Sequence, residues 1–222
     1  MSPRRRNWFW IAVALSLAIG LTPWARTILY PFRLFTTWVH ECGHALMTIL
    51  VGGRVMSIVL EPDGSGLTNS LVPTGRLAPA LVASAGYLGA AIVGCLLLAA
   101  TRVERRAKVI LVGLGAFMFV TLVLWMRNPF GFIVVLAWCA ALFSLVRSGG
   151  ANAMRFLLSL LAVQVALNSV YDIRVLFEID RGPSDAATMA RLFLLPSWVW
   201  ATTWMLVSIG MLAATVRKTR GL

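Results

Sequence analysis

The chain has 222 residues, of which 59% are apolar and only 13% charged, with a formal charge of +12 and a mean hydropathy of +0.84. A water-soluble domain carries about 25% charged residues, so this composition excludes a soluble fold and leaves room for one integral membrane unit spanning residues 1–222. The cations sit in short clusters between apolar runs, at Arg4-Arg5-Arg6, at Arg102, Arg105, Arg106 and Lys108, and at Arg217, Lys218 and Arg220. That placement suits anionic lipid headgroups and not nucleic acid, which would need a basic face on a soluble fold.

A spanning helix needs about 20 mostly apolar residues. Read in chain order, the candidate spans are 7–22, 29–51, 77–100, 109–126, 130–146, 155–171 and 195–216. The first follows the arginine cluster like a signal peptide. Thr22-Pro23-Trp24-Ala25 is a poor small-residue cleavage site, however, so an uncleaved membrane helix is expected. After the second span, residues 52–76 read as a β-hairpin: a β-prone run from Val55 to Leu60, the turn Glu61-Pro62-Asp63-Gly64-Ser65-Gly66, and a second extended run from Leu67 to Val72. The hairpin is too apolar for a free loop and too short to span, so an interfacial position against the bundle is expected. Gly86, Gly89 and Gly94 in the third span fit close helix packing. Cys42, Cys95 and Cys139, an odd set inside apolar segments, read as small packing residues and not as a disulfide framework. Trp8, Trp10, Trp198, Trp200 and Trp204 lie near span ends, as interfacial anchors do. With seven crossings the cations fall almost evenly on both sides, so the positive-inside rule assigns no orientation to that arrangement. A re-entrant segment at 130–146 or 155–171 would put both ends in the cytoplasm. The prediction is an all-α polytopic bundle of six or seven transmembrane helices with a small interfacial β-hairpin.

The second span contains His40-Glu41-Cys42-Gly43-His44, and the chain's two histidines both belong to it. Residues i and i+4 share a helix face, so both imidazoles can reach one metal ion. A catalytic zinc takes three protein ligands and keeps a fourth position for water, whose proton Glu41 would accept as general base. Ionisable groups inside a membrane are costly, and by default they mark function.

With no third histidine, a carboxylate is the expected third ligand, ahead of Asn or Cys. Glu104 sits among arginines, and Glu61 and Asp63 belong to the turn. Asp172, which ends the apolar run from Leu157 to Tyr171, is the first choice; its competing reading is a helix-boundary residue paired with Arg174. Asp185 is the second choice, with helix capping as its competing reading. Asn128, in Asn128-Pro129-Phe130-Gly131, is either part of an ordinary turn or a contact to substrate near the site.

An apolar helix bearing HECGHA, followed by GGRV, a hairpin, AGYLG, and later RNPFG and SDA, resembles the site-2 protease clan, closest to the B-like branch of peptidase family fifty. The resemblance covers most of residues 30–205. It implies one zinc ion held by His40 and His44, Glu41 as catalytic base, and hydrolysis of peptide bonds in or near transmembrane segments of membrane-protein substrates. It also implies that the hairpin offers an edge strand to an unwound substrate. The N-P-x-x-D-G-like segment that supplies the clan's third ligand is incomplete here, because no Asp follows Asn128-Pro129. The third ligand is therefore not carried over. The expected setting is the bilayer, in the plasma membrane of a bacterium. The sequence carries no information on oligomeric state. Two other readings remain at this point: a metal-binding scaffold without proteolysis, and a transporter, a class that often shows the internal repeats not visible here.

Overall fold

The computed structural model describes residues 4–101, 107–178 and 184–220, with side chains described over 8–101, 107–168 and 184–218. The elements in order are α1 (Arg4–Gly20), α2 (Ala25–Ile28), α3 (Tyr30–Leu50), β1 (Arg54–Leu60), β2 (Gly66–Leu71), α4 (Leu77–Ala100), α5 (Ala107–Leu124), α6 (Pro129–Ser148), α7 (Ala151–Glu178), α8 (Asp185–Phe193) and α9 (Ser197–Arg220).

Among the described residues, five helical stretches are long and apolar enough to cross a membrane: α4, α5, α6, Ala151–Asn168 of α7, and Ser197–Lys218 of α9. The apolar runs of the sequence predict six or seven. The difference lies in α1, whose apolar part is only Trp8–Gly20, and in α3, which is 21 residues long but carries Arg33, His40, Glu41 and His44. The outer faces of the bundle expose Ile92, Leu96, Phe119, Val123, Ile133 and Leu136. So broad an apolar surface belongs in lipid, and the chain is an integral multi-pass membrane protein.

Helix α4 lies at the centre, packed on α3, α7, α8 and α9. Small residues set its distance from α3: a Cβ on Gly43 would overlap the Ala85 carbonyl, and Gly89 faces Gly43. On the α7 side Gly94 faces Ala166. Between apolar helices in lipid, close backbone approach of this kind supplies the packing energy. Buried polar pairs add specificity: Gln164 Nε2 donates to Ser16 Oγ at 3.0 Å, joining α7 to α1, and Trp38 Nε1 donates to Thr121 Oγ1 at 3.0 Å, joining α3 to α5. Of the tryptophans expected as anchors, Trp10 and Trp198 are exposed, but Trp204 is only 3% exposed. It was expected at the interface and is instead part of the core beside Tyr87.

Helix α3 starts with Pro31 in its first turn, where a missing N–H costs nothing. It ends in Gly52-Gly53: Gly52 has φ +80, its N–H bonds to Ile49, and the Gly53 N–H bonds to Thr48 at 2.8 Å. This left-handed stop sends the chain into β1. Strands β1 and β2 pair antiparallel, with Ile58 opposite Thr68 and Leu60 opposite Gly66. Pro62 and Gly64, the latter at φ +88, shape the turn. Ser65 donates to Asp63 from both its N–H (2.8 Å) and its hydroxyl (2.7 Å), holding that carboxyl below the ordinary aspartate range. The hairpin tip is fastened to α3 by the Tyr30 hydroxyl donating to the Pro62 carbonyl (2.5 Å) and Thr37 donating to the Gly64 carbonyl (2.8 Å).

The far edge of β1 is also covered. Ile58 N–H donates to Trp125 O at 2.7 Å, and Arg127 N–H donates to Ile58 O at 3.3 Å. Asn128 then continues the ladder with its side chain, donating to Leu60 O (2.6 Å) and accepting from Leu60 N–H (3.3 Å). Among the described residues, no strand lies along the outer edge of β2.

Candidate metal centre

Helix α3 carries His40 and His44 one turn apart, with their Nε2 atoms separated by 3.0 Å. Asp185, in the first turn of α8, brings Oδ2 to 3.3 Å from His40 Nε2 and 3.2 Å from His44 Nε2. Among the described residues, these three form the group of potential metal-binding side chains.

Each member is held from behind. His44 Nδ1 lies 2.7 Å from the Val82 carbonyl of α4. A carbonyl only accepts, so Nδ1 carries a proton, which leaves Nε2 as the ring nitrogen available to a metal ion. The His40 ring meets Tyr87 edge-on with centroids 4.6 Å apart, and Tyr87 in turn stacks on Trp204 at 5.2 Å. Asp185 is placed by α8, whose Ala186 and Met189 pack with Ala80, Ala83 and Ala201 of α4 and α9. The cap of α8 is Ser184, whose hydroxyl accepts the Ala187 N–H at 3.1 Å. Capping was the competing role considered for Asp185; because Ser184 fills it, the Asp185 carboxylate is turned to the histidines.

The donor set fits a zinc ion. Two imidazole nitrogens and a carboxylate oxygen at mutual contact repel one another unless a cation or proton lies among them. Four ligands held tetrahedrally at zinc distances stand about 3.3 Å apart, close to the 3.0, 3.2 and 3.3 Å separations here. Space at this point exists because residue 86 is glycine: a Cβ there would collide with Nε2 of both imidazoles.

Glu41 lies outside this group. It is 4% exposed, and its Oε2 accepts from the Thr68 hydroxyl at 2.7 Å. Gly66 presses so closely on Glu41 that a Cβ would meet its Cγ and Oε1. The hairpin therefore abuts the glutamate directly. Thr68 was not singled out in the sequence, where it reads as an ordinary β-branched strand residue.

Of the acids considered from sequence, Asp185 stands with the histidines. Asp172 falls in the C-terminal part of α7, and its side chain lies outside the described residues. Asn128, considered as a substrate contact, hydrogen-bonds both the C=O and the N–H of Leu60 through its amide and so holds the edge of β1.

The family model described as Peptidase M50B-like matches residues 10–215 of the chain. No curated protein and no solved structure matches it. With nearly its whole length covered, the chain belongs to the Peptidase M50B-like family, the B-like branch of the site-2 protease group, and that membership supports intramembrane proteolysis at the family level.

Proposed function

We propose that this member of the Peptidase M50B-like family is a zinc metalloendopeptidase that hydrolyses peptide bonds in or near transmembrane segments of other membrane proteins. The observation that carries the reading is the convergence of His40 Nε2, His44 Nε2 and Asp185 Oδ2 beside a buried, separate glutamate.

In this reading His40, His44 and Asp185 hold one zinc ion, and Asp185 takes the third position in place of Asp172. When bound, zinc supplies Lewis acidity that brings the pKa of water near 7 and polarises a carbonyl. Glu41 takes the proton of the attacking water and delivers it to the departing amine. The Val82 carbonyl keeps His44 in the tautomer that ligates. An unwound substrate segment adds to the open edge of β2, which keeps its scissile bond extended and accessible. Residues 1–222 work as one unit in this scheme, since the site draws on α3, α4, β2 and α8.

The test uses full-length protein in detergent with peptides that represent transmembrane segments. Wild type is expected to hold one zinc per chain and to cleave, to lose cleavage with chelator, and to regain it with zinc. Glu41→Gln should keep the zinc and lose about 10²–10⁴-fold in rate. Zinc binding without cleavage of any bound peptide would favour a non-proteolytic scaffold, and equal activity of Glu41→Gln would remove the glutamate from the mechanism.

A further inference from the structure

The hairpin touches the proposed base through one side chain. Thr68 Oγ1 lies 2.7 Å from Glu41 Oε2 and 3.0 Å from the Glu41 carbonyl. A hydroxyl has one proton to give, and the carboxylate oxygen is both nearer and, when ionised, the stronger acceptor.

The strand register gives this contact a second aspect. The Ile58 N–H and C=O are both bonded to the Trp125–Arg127 segment, away from β2. Ile58 and Thr68 are therefore a non-hydrogen-bonded pair of the antiparallel ladder, so the Thr68 N–H and C=O point outward as well. The same holds for Gly66 opposite Leu60, whose backbone is occupied by Asn128. Thr68 thus faces the open edge with its backbone and Glu41 with its side chain.

We infer that Thr68 is a positioning residue for the hydrolysis, holding the Glu41 carboxylate from the strand on whose outer edge an extended substrate segment docks. The inference rests on the protease reading above. A segment paired at this edge bonds to the Thr68 backbone, so occupancy of the edge steadies the hydroxyl that holds the base. Binding and base orientation are joined through one residue, and the hydroxyl contributes to the second alone.

The experiment compares Thr68→Val, which keeps shape and strand preference without the hydroxyl, with Thr68→Ser, which keeps the hydroxyl. Both are made in the full-length, zinc-loaded protein and assayed on a transmembrane-segment peptide. Thr68→Val should lower kcat about 10- to 100-fold, the effect of one hydrogen bond to a charged group, with KM and zinc content unchanged. Thr68→Ser should restore kcat. Slow exchange of the Leu67 and Asn69 amides, which face β1, reports that the hairpin is intact in each variant. Independently of activity, the infrared carboxylate band that disappears in Glu41→Gln should shift in Thr68→Val and not in Thr68→Ser. Equal behaviour of Val and Ser, or an unmoved carboxylate band, overturns the inference. A wild-type protein that cleaves no peptide sinks the protease reading instead, and the infrared band then decides by itself whether Thr68 holds Glu41.

Discussion

Asp185 Oδ2 and His44 Nε2 stand 3.2 Å apart, joining the first turn of α8 to the middle of α3. Neither residue is near the other in sequence; α4 brings them together, carrying the Val82 carbonyl for His44 and the packing surface for α8. The candidate centre is therefore a property of three helices, and each can be tested separately.

The carboxylate is the first target. Asp185→Asn keeps the size of the side chain but removes its charge, and it should lower zinc affinity by more than the 10–100-fold typical of groups behind a metal ligand (about that range). Asp172→Asn should leave affinity unchanged. Competition with a chelator of known affinity measures both. The opposite order would return Asp172 to the site and displace Asp185.

Gly86 tests the space itself. Alanine is favoured over glycine within a helix by about 0.5–1 kcal/mol, so Gly86→Ala does not weaken α4 as a helix. Its methyl would nonetheless press on both imidazoles. The expected result is a protein that stays folded and loses zinc affinity at least about tenfold. Unchanged zinc content would show that the imidazoles point elsewhere.

Ser184 acts one step further out. Ser184→Ala removes the cap of α8 and should cost about 1 kcal/mol locally, seen as faster exchange of the Ala187 amide and a zinc affinity weaker by roughly fivefold. Ser184→Asn, another good capping residue, should recover both. If affinity drops equally with alanine and asparagine, capping is not how this residue acts.

Asn128 addresses the hairpin and not the metal. Asn128→Ala leaves the Leu60 N–H and C=O without partners and should destabilise β1 by about 1–3 kcal/mol. Hydrogen exchange at Leu60 and Ile58 should accelerate about tenfold or more, while zinc content stays at the wild-type level. A loss of zinc with exchange unaltered would contradict the structural role.

Much of this molecule is written locally. The apolar runs predict the helices because each must satisfy its own backbone in lipid. The spacing of His40 and His44 predicts a shared face because 3.6 residues make a turn. Glu61-Pro62-Asp63-Gly64 predicts the hairpin because proline and a left-handed glycine suit a reversal. Other residues take their role from distant neighbours. Trp204 carries the same composition signal as the exposed tryptophans, yet it is buried because Tyr87 stacks on it. Asn128 precedes a helix as turn residues do, but its amide is drawn to Leu60 on β1.

Composition and spacing alone determined that this is a membrane protein with two imidazoles and a glutamate on one helix, since hydropathy and helical period act over a few turns. Only the tertiary structure brought Asp185 to those imidazoles and Thr68 to Glu41. Which acid reaches His44 depends on how α8 packs against α4 and α9, and which strand residue meets Glu41 depends on the register of β2. Both are set by contacts between segments far apart in the chain, where no local pattern carries the information.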